Sequence, residues 1–398
     1  MNINEVSQLI NGKKGINQKS DKSKQKLENR NSIISFLRKN QEYMLVIVGI
    51  IIILIIFLVI YIIFNTIKNN PMNIYLNLLE KNPYPQILKS NDSNRYDKSL
   101  LDEKKICSQN KKFAILRRTN CQACGLFSYY IVHIGCIINF LQQGYIPILE
   151  VSSFSNVFTG NNIMQKNPWE EFFNQPCGYT FEKVVNMKNV TIFECQCVGH
   201  MPDEKTIYSN KIMWDYHHQI QEKYMSVKNI IYKEAEKIWK KLFGESKNVL
   251  GILLRGTDYT ALKPFEHAKP PSVERALSDT IKMNNKNNYD FIFLGTEDNI
   301  IRDNFIKKFG DKLKYLLPKK QVFYDYEDQN YLTYNSKVYG NMDFMKTYLL
   351  TVVILSKCLD IISARTSGAA GVFILSKGFR NSLVYYIGDY KADSYFNK

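Results

Sequence analysis

The stretch from Val249 to Asp258 reads Val-Leu-Gly-Ile-Leu-Leu-Arg-Gly-Thr-Asp. Its apolar first part predicts a buried strand that ends at Leu254. Arg255 follows directly, and Gly256 and Asp258 come next. Ligands of open α/β sheets bind just outside the carboxyl ends of the strands, and a guanidinium there offers a planar fork of donors to phosphate oxygens. The stretch therefore predicts a nucleotide diphosphate site, although such an arginine and aspartate can also form an ordinary surface ion pair.

Around this stretch, apolar runs alternate with helical patterns. Strands are predicted at 249–254, 289–294, 322–324, 359–363 and 384–387. An earlier strand–helix–strand unit is predicted at 113–116, 126–142 and 146–151, with Gly125 in its first turn. A long amphipathic helix over 217–243 is predicted to connect the two halves. Alternating strands and helices are typical of parallel sheets. We therefore predict an α/β protein with two Rossmann-like domains, 106–244 and 245–398.

Two more predicted strands end in polar residues, which should meet Arg255 at one sheet edge. Thr296, Glu297 and Asp298 follow one strand, and their carboxylates can accept hydrogen bonds from a ribose or base. The segment Arg365-Thr366-Ser367-Gly368 follows the other strand and begins a helix, where free amides and the helix dipole favour phosphate. Arg365 would add a second cation, and the glycine allows close approach. A plain helix cap at Thr366 and a charge pair at a helix start for the two acids are the alternatives.

These segments resemble the motifs of the fucosyltransferase superfamily, which includes α1,6-fucosyltransferases, protein O-fucosyltransferases and rhizobial nodulation fucosyltransferases. The segment 255–258 is similar to the first motif, whose arginine binds the β-phosphate of GDP-fucose. The segments 293–298 and 355–368 are similar to the strand ending in Thr-Asp-Asp and to the last motif, whose serines meet the phosphates. The resemblance covers about 110–398 and implies a GT-B fold, with the donor held mainly by the second domain, Gly125 in the glycine loop of the first, inversion at the anomeric carbon and no metal.

The chain departs from the family pattern at four positions. Leu253 stands where the family often has a histidine, and Gly256 where α1,6-fucosyltransferases have a second arginine. Thr351 replaces an acidic residue that contacts the base, and Lys263 stands at the position of their proposed catalytic base. The diphosphate site is therefore predicted on better grounds than guanine or fucose.

The implied reaction is a displacement at the anomeric carbon. The leaving diphosphate gains negative charge, which Arg255 would stabilise more in the transition state than in the ground state. A base must also deprotonate the acceptor hydroxyl. We predict Glu266 as this base, with Asp258 and His267 as alternatives.

Other functions remain open at this point. Asp325, Glu327 and Asp328 follow a short predicted strand and could hold manganese in a metal-dependent glycosyltransferase. A membrane-tethered lectin or inactive homologue would bind a glycan without turnover. A transferase with another nucleotide sugar as donor is the third alternative.

A charge-free apolar run extends from Tyr43 to Phe64. Its 22 residues would form a helix of about 33 Å, enough to cross a bilayer. Lys and Arg cluster before the run, so the positive-inside rule predicts a cytosolic N-terminus. We predict a basic tail at 1–42, a transmembrane helix at 43–64 and a stem at 65–105. This predicted arrangement is that of a single-pass type II membrane protein, located in the Golgi or endoplasmic reticulum of a eukaryote or in a bacterial cell envelope.

The composition narrows the choice of partners. The chain has 398 residues and a formal charge of +16, but no zinc-finger spacing or dense basic run mixed with aromatics. We predict a nucleotide sugar and a glycan or glycoprotein as partners, and no nucleic acid. Eight cysteines in an exported domain favour disulfides, with zinc at Cys121/Cys124 and Cys195/Cys197 as the alternative. Asn91 and Asn189 begin glycosylation sequons.

Overall fold

The protein is described by a computed structural model that covers residues 29–32, 35–36, 40, 43–67, 69–81, 86–88, 95–109, 112–121, 124–196, 199–203, 205–256, 259–260, 263, 266–317 and 339–391. The chain divides into two compact units, Met1–Asn70 and Pro71–Lys398.

The first unit contains one long apolar helix, α1, at Tyr43–Ile67. Its apolar side chains are exposed along the whole length. By length and composition the helix is able to cross a membrane. The predicted helix at 43–64 is therefore present, and it continues three residues further.

Two parallel sheets organise the second unit. The first sheet has the order β2-β1-β3, and the second has the order β6-β5-β4-β7-β8. All six ladders between these strands are parallel, which confirms the predicted α/β class. The strands are β1 Lys112–Arg117, β2 Tyr145–Leu149, β3 Val190–Glu194, β4 Val249–Leu253, β5 Phe291–Gly295, β6 Leu313–Tyr315, β7 Asp360–Ala364 and β8 Ser382–Tyr385.

Helices cover both sheets. The central strands β4 and β7 are buried at every residue, as expected for parallel strands packed on both faces. A continuous hydrophobic core includes residues of both sheets. The helices of this unit are α2 Pro71–Lys81, α3 Glu103–Ser108, α4 Leu126–Gln142, α5 Trp169–Phe172, α6 Phe181–Val185, α7 Lys211–Tyr224, α8 Asn229–Phe243, α9 Val273–Asn287, α10 Asn299–Phe309, α11 Met342–Leu355 and α12 Ser367–Leu375.

The folded unit begins earlier in the chain than the sequence predicts. Helix α2 lies within the predicted stem, yet its Met72 and Tyr75 are fully buried in the core. The hydroxyl of Tyr75 donates a hydrogen bond to Glu150 at 3.2 Å. The polar, proline-containing composition of this segment obscured two apolar positions one helical turn apart.

The predicted single helix over 217–243 is wrong, because the chain there forms α7 and α8. Between them, the backbone runs alongside residues 172–174. The N–H of Asn174 donates to the Ser226 carbonyl at 2.8 Å, and the N–H of Lys228 donates to the Phe172 carbonyl at 2.9 Å. A pairing between segments more than 50 residues apart ends the helix. No proline or glycine marks this end in the sequence.

Short strands were also missed. No strand was predicted at β3, and β6 is only three residues long. The strand predicted at 322–324 lies outside the described residues. The other predicted strands and helices of this unit are present within two residues of their expected bounds.

Six cysteines form disulfides in the second unit. The pairs are Cys107–Cys177, Cys121–Cys124 and Cys136–Cys195. Cys358 is a buried free thiol, and Cys197 lies outside the described residues. The expectation of disulfides is confirmed, and the zinc alternative is wrong for the three cysteines of that set that are described, because their sulfurs pair with other sulfurs.

Candidate functional site

A cleft opens at the carboxyl edge of the second sheet. Segments that follow β4, β5 and β7 form one side of it, α11 forms another, and the start of α4 reaches it from the first sheet. The cleft is lined, among others, by Gly125, Arg255, Thr296, Glu297, Asp298, Arg302, Tyr348 and Thr366. The sequence therefore correctly placed the ends of three neighbouring strands around one site.

Arg255 follows β4 and is held on two sides. Its Nε lies 3.8 Å from Glu297 Oε1, and its guanidinium carbon lies 4.6 Å from the ring centre of Tyr259. The side chain is 26% exposed. A cation fixed by a carboxylate and an aromatic face, yet open to the cleft, has the geometry needed to bind phosphate oxygens.

The turn after Arg255 requires glycine for lack of space. A Cβ on Gly256 would lie 1.9 Å from Asp298 Oδ2. The Gly256 N–H donates to Glu297 Oε1 at 3.2 Å, so this one carboxylate oxygen orients both the arginine and the turn. The structure therefore shows a positioning role for Glu297, and its predicted contact with a ribose or base stays a prediction.

Asp298 caps helix α10. Its Oδ1 accepts hydrogen bonds from the N–H groups of Ile300 at 2.8 Å and Ile301 at 3.1 Å. Thr296 Oγ1 in turn accepts the Asp298 N–H at 3.1 Å. The helix-start alternative thus accounts for the Asp298 contacts, while both residues still line the cleft.

Helix α12 begins beside the cleft. Thr366 Oγ1 accepts the Ala369 N–H at 3.1 Å, so Thr366 is the N-cap, and Ser367 is the first helical residue. Gly368 packs against α11, because a Cβ there would lie 2.1 Å from Tyr348 Oη. Thr366 lines the cleft, whereas the predicted donor-binding residues Ser367 and Gly368 are absent from its lining. The positive end of the helix dipole therefore adjoins the cleft, where it favours an anion.

Arg365 was predicted to be a second cation of the site, but it does not reach the cleft. Its Nη2 lies 2.5 Å from Asp389 Oδ1, and its guanidinium carbon lies 4.2 Å from the ring centre of Tyr386. The residue is 8% exposed and is absent from the cleft lining. An aspartate 24 residues downstream holds this cation, and no local pattern in the sequence reveals that partner.

Arg302 is the cleft cation that the sequence did not suggest. It lies one turn into α10, lines the cleft and is 17% exposed in its side chain. Its Nη2 also donates to Asp303 Oδ1 at 2.8 Å. The available signal was its position, three residues past the start of the helix that follows a polar strand end.

The predicted base lies outside the cleft lining. Glu266 is exposed, has a left-handed backbone with φ of 60°, and donates its N–H to the Tyr390 carbonyl at 3.1 Å. Its neighbour His267 contacts the Tyr259 ring at 5.4 Å. The turn therefore adjoins the aromatic ring beside Arg255 without entering the cleft. Asp258 lies outside the described residues.

Two buried histidines, His133 and His217, lie outside the cleft and belong to the core. His217 Nδ1 lies 2.8 Å from the Met213 carbonyl and its Nε2 lies 3.2 Å from the His200 carbonyl. Burial lowers the pKa of His217 to about 4 and that of His133 to about 3. Both rings are neutral at physiological pH and belong to the core.

Within the described ranges, no group of three or more His, Cys, Asp or Glu side chains is arranged to hold a metal ion. The acidic segment of the manganese alternative, Asp325 to Asp328, lies outside those ranges. The described cleft lining includes two cations, Arg255 and Arg302, that can bind phosphate oxygens.

Comparisons with known proteins give remote likenesses. No family model and no curated protein matches the chain. NodZ α-1,6-fucosyltransferase co-crystallised with GDP is similar at 12% identity and a TM-score of 0.41, over 67% of this chain and 93% of that one. Fucosyltransferase NodZ from Bradyrhizobium gives 13% and 0.38, over 67% and 94%. POFUT1 in complex with GDP-fucose gives 12% and 0.32, over 69% and 73%.

TM-scores below 0.5 do not establish a common fold, so the class of this protein rests on its own geometry. The described residues form an α/β protein with two parallel sheets. A cleft whose charged lining residues are Arg255, Arg302, Glu297 and Asp298 lies where the second sheet ends, and the N-cap of helix α12 reaches it.

Proposed function

We propose that this protein is a glycosyltransferase, specifically an inverting, metal-independent fucosyltransferase that uses GDP-fucose to modify a glycan or glycoprotein. The observation that carries the proposal is the placement of Arg255. It stands at the end of β4, fixed by Glu297 and Tyr259, in a cleft that also contains the start of α12. The motif resemblance at 255–258, 293–298 and 355–368 supports the fucosyl donor.

In this proposal two positive elements bind the diphosphate. Arg255 approaches from the end of β4, and the positive end of the α12 dipole, capped by Thr366, approaches from the end of β7. As the bond to the anomeric carbon breaks, negative charge collects on the leaving diphosphate, and preorganised donors stabilise that charge without reorganising. Arg302 is a third donor in the same cleft, and it takes the place that the sequence predicted for Arg365.

The base end of the nucleotide has a different character. Leu253 and Thr351 both line the cleft. The family often has a histidine at the first position, and α1,6-fucosyltransferases have an acidic residue that contacts the base at the second. The hydroxyl of Thr351 donates to the Thr347 carbonyl at 2.9 Å, and its oxygen can still accept a hydrogen bond. Binding of GDP compared with other nucleotides tests which nucleobase this end of the cleft accepts.

The general base that deprotonates the acceptor hydroxyl is proposed to be a residue of the turn at 266–267 or Asp258. Glu266 is exposed at that turn, and His267 contacts Tyr259, which itself packs on Arg255. The contact of this turn with the Tyr259 ring, which packs on Arg255, supports the proposal. Deprotonation of the acceptor hydroxyl by one of them completes the inverting displacement.

The proposal includes the membrane anchor. Helix α1 is long and apolar enough to span a bilayer, and the basic residues before it favour a cytosolic N-terminus. The protein would then be a type II enzyme whose folded unit, Pro71–Lys398 with its two parallel sheets, faces the lumen or the cell exterior.

The test is donor turnover by the full-length protein in detergent. Release of GDP from GDP-fucose is measured with a mixed glycan acceptor, with and without EDTA. Turnover that resists EDTA and falls at least 100-fold in Arg255→Ala supports the proposal, since one preorganised donor contributes on the order of 100–1,000-fold in kcat. Arg275→Ala is the matched control, because Arg275 is an exposed α9 arginine outside the cleft lining.

Three other outcomes contradict it. Turnover abolished by EDTA favours the manganese-dependent alternative. Turnover of UDP-sugars alone keeps the transferase and changes the donor. Glycan binding without turnover of any donor favours the lectin-like or inactive homologue.

A further inference from the structure

The carboxyl edge of the first sheet also ends in arginine. β1 finishes at Arg117, and Arg118 follows it. Ligands of parallel sheets bind at such an edge. The second sheet presents Arg255 in the same way, so the two sheets each place a guanidinium at the edge where ligands bind.

Arg117 is largely buried without being satisfied. Its side chain is 14% exposed, and its buried Nε has no hydrogen-bond partner among the described residues. The nearest carboxylate oxygen, Glu150 Oε2, lies at 3.9 Å, beyond hydrogen-bond distance. The guanidinium carbon lies 5.6 Å from the Phe154 ring centre. A guanidinium has five N–H donors, and leaving a buried charged donor unpaired is unfavourable.

Glu150 cannot supply the missing bonds because the loop after β2 already occupies it. Its Oε1 accepts the N–H and hydroxyl of Ser152 at 2.5 and 2.6 Å and the Ser153 N–H at 2.8 Å. Its Oε2 accepts the hydroxyls of Ser153 at 2.7 Å and Tyr75 at 3.2 Å. Five donors saturate this fully buried carboxylate, and Arg117 keeps donors for another oxyanion.

The arginine pair adjoins the cleft from one side. Arg118 Nη1 donates to the Ser128 carbonyl at 3.0 Å, and the Ser128 N–H donates to the Gly125 carbonyl at 3.0 Å. Gly125 lines the cleft. On the other side, Ser155, next to Phe154, shares a 2.8 Å hydrogen bond with Tyr339, just before α11. Hydrogen bonds therefore connect the edge that carries Arg117 to two segments that continue into the cleft lining, the start of α4 and α11.

We infer that Arg117 and Phe154 form an acceptor subsite for an anionic glycan. The guanidinium would bind a carboxylate, sulfate or phosphate group on the acceptor through paired N–H···O bonds, and the Phe154 ring would lie against the adjoining sugar. This inference rests on the proposed function, because it takes the second ligand to be a glycan acceptor. It assigns to the first sheet the recognition of acceptor charge.

The experiment uses the full-length protein in detergent on an array of printed glycan pairs that differ by one group. The pairs are glucuronate against glucose, sulfated against unsulfated galactose, and phosphorylated against plain mannose. The wild-type protein should bind the anionic member of at least one pair at least tenfold more tightly than the neutral member. The pair that shows this preference identifies the oxyanion. Arg117→Ala should lose the preference. Lys112→Ala should keep it, because Lys112 is exposed at the opposite end of the same strand.

Arg117→Lys and a competition keep the test decisive if the alanine variant folds poorly. The lysine variant keeps the charge without the fork, so its preference should weaken without vanishing. In the wild-type protein, free glucuronate, sulfate or phosphate should displace the bound glycan, and glucose should not. Neutral glycans bound as well as anionic ones, or an unchanged preference in Arg117→Ala, overturn the inference.

GDP binding, followed in parallel, separates the two proposals. A protein that binds GDP and shows no anionic preference retains the proposed function and refutes the subsite. A protein that binds anionic glycans and no nucleotide refutes the donor site, and with it the acceptor role given to Arg117.

Discussion

Gly368→Ala should place a methyl group where one hydroxyl leaves no room. The Cβ would lie 2.1 Å from Tyr348 Oη, while the next contacts are Tyr348 Cζ at 3.3 Å and Leu253 Cδ2 at 3.7 Å. Nearly all of the clash therefore belongs to the Tyr348 hydroxyl, which sits between α11 and the start of α12.

The expected magnitude follows from two opposing effects. Overpacking a buried site costs about 1–3 kcal/mol, and alanine is favoured over glycine in a helix by about 1 kcal/mol. The single variant should therefore lose up to about 2 kcal/mol of unfolding free energy. In a Tyr348→Phe background the hydroxyl is absent, so the same alanine should be neutral or stabilising by up to about 1 kcal/mol. The coupling between the two substitutions should be about 1–3 kcal/mol.

The assay is urea unfolding of the four full-length proteins in one detergent, with nucleotide binding measured in parallel. Since Tyr348 lines the cleft, Gly368→Ala should also weaken nucleotide binding, and Tyr348→Phe should recover part of it. An alanine that has the same effect on stability in both backgrounds would refute the packing argument for this corner of the cleft.

Three further predictions concern stability. Asp298→Ala removes the cap of α10 and should cost about 1 kcal/mol in urea unfolding, whereas Asp298→Asn should cost clearly less; equal losses would contradict the cap. The pKa of His217, lowered to about 4, lies below the value of about 6.5 in an unfolded chain. Between these two values only the unfolded state binds the proton. The free energy of unfolding should therefore keep its full value above about pH 6.5 and fall toward pH 4 by up to about 1.4 kcal/mol per pH unit. His217→Asn should flatten that slope in pH-dependent unfolding, and an unchanged slope would contradict this role of His217. Cys107–Cys177 spans 70 residues and Cys121–Cys124 only 3, so replacing the first pair by serine should cost about 4 kcal/mol and the second about 1.6 kcal/mol on the chain-entropy model; a larger loss for the short pair would argue against that model here.

The sequence predicted what depends on local pattern. Helix α4 has its predicted bounds, Leu126–Gln142, because a glycine precedes it and apolar residues fill it. The end of β4 was found because an apolar run stops at Arg255.

The failures have tertiary causes. The break between α7 and α8 comes from pairing with residues 172–174, and the position of Arg365 comes from a distant aspartate. Arg302 was missed because only the folded cleft shows which face of α10 borders the site.

The measurement that tests the central claim most directly is thermal stabilisation of the full-length protein by GDP, UDP, ADP and CMP, repeated on Arg255→Ala. A nucleotide that binds only the native state raises stability by RT ln(1 + [L]/Kd), about 2.7 kcal/mol at 100 times Kd. We predict a shift with GDP that persists in EDTA and disappears in Arg255→Ala. No shift with any of the four nucleotides, or an equal shift in the variant, would contradict a donor site built on Arg255.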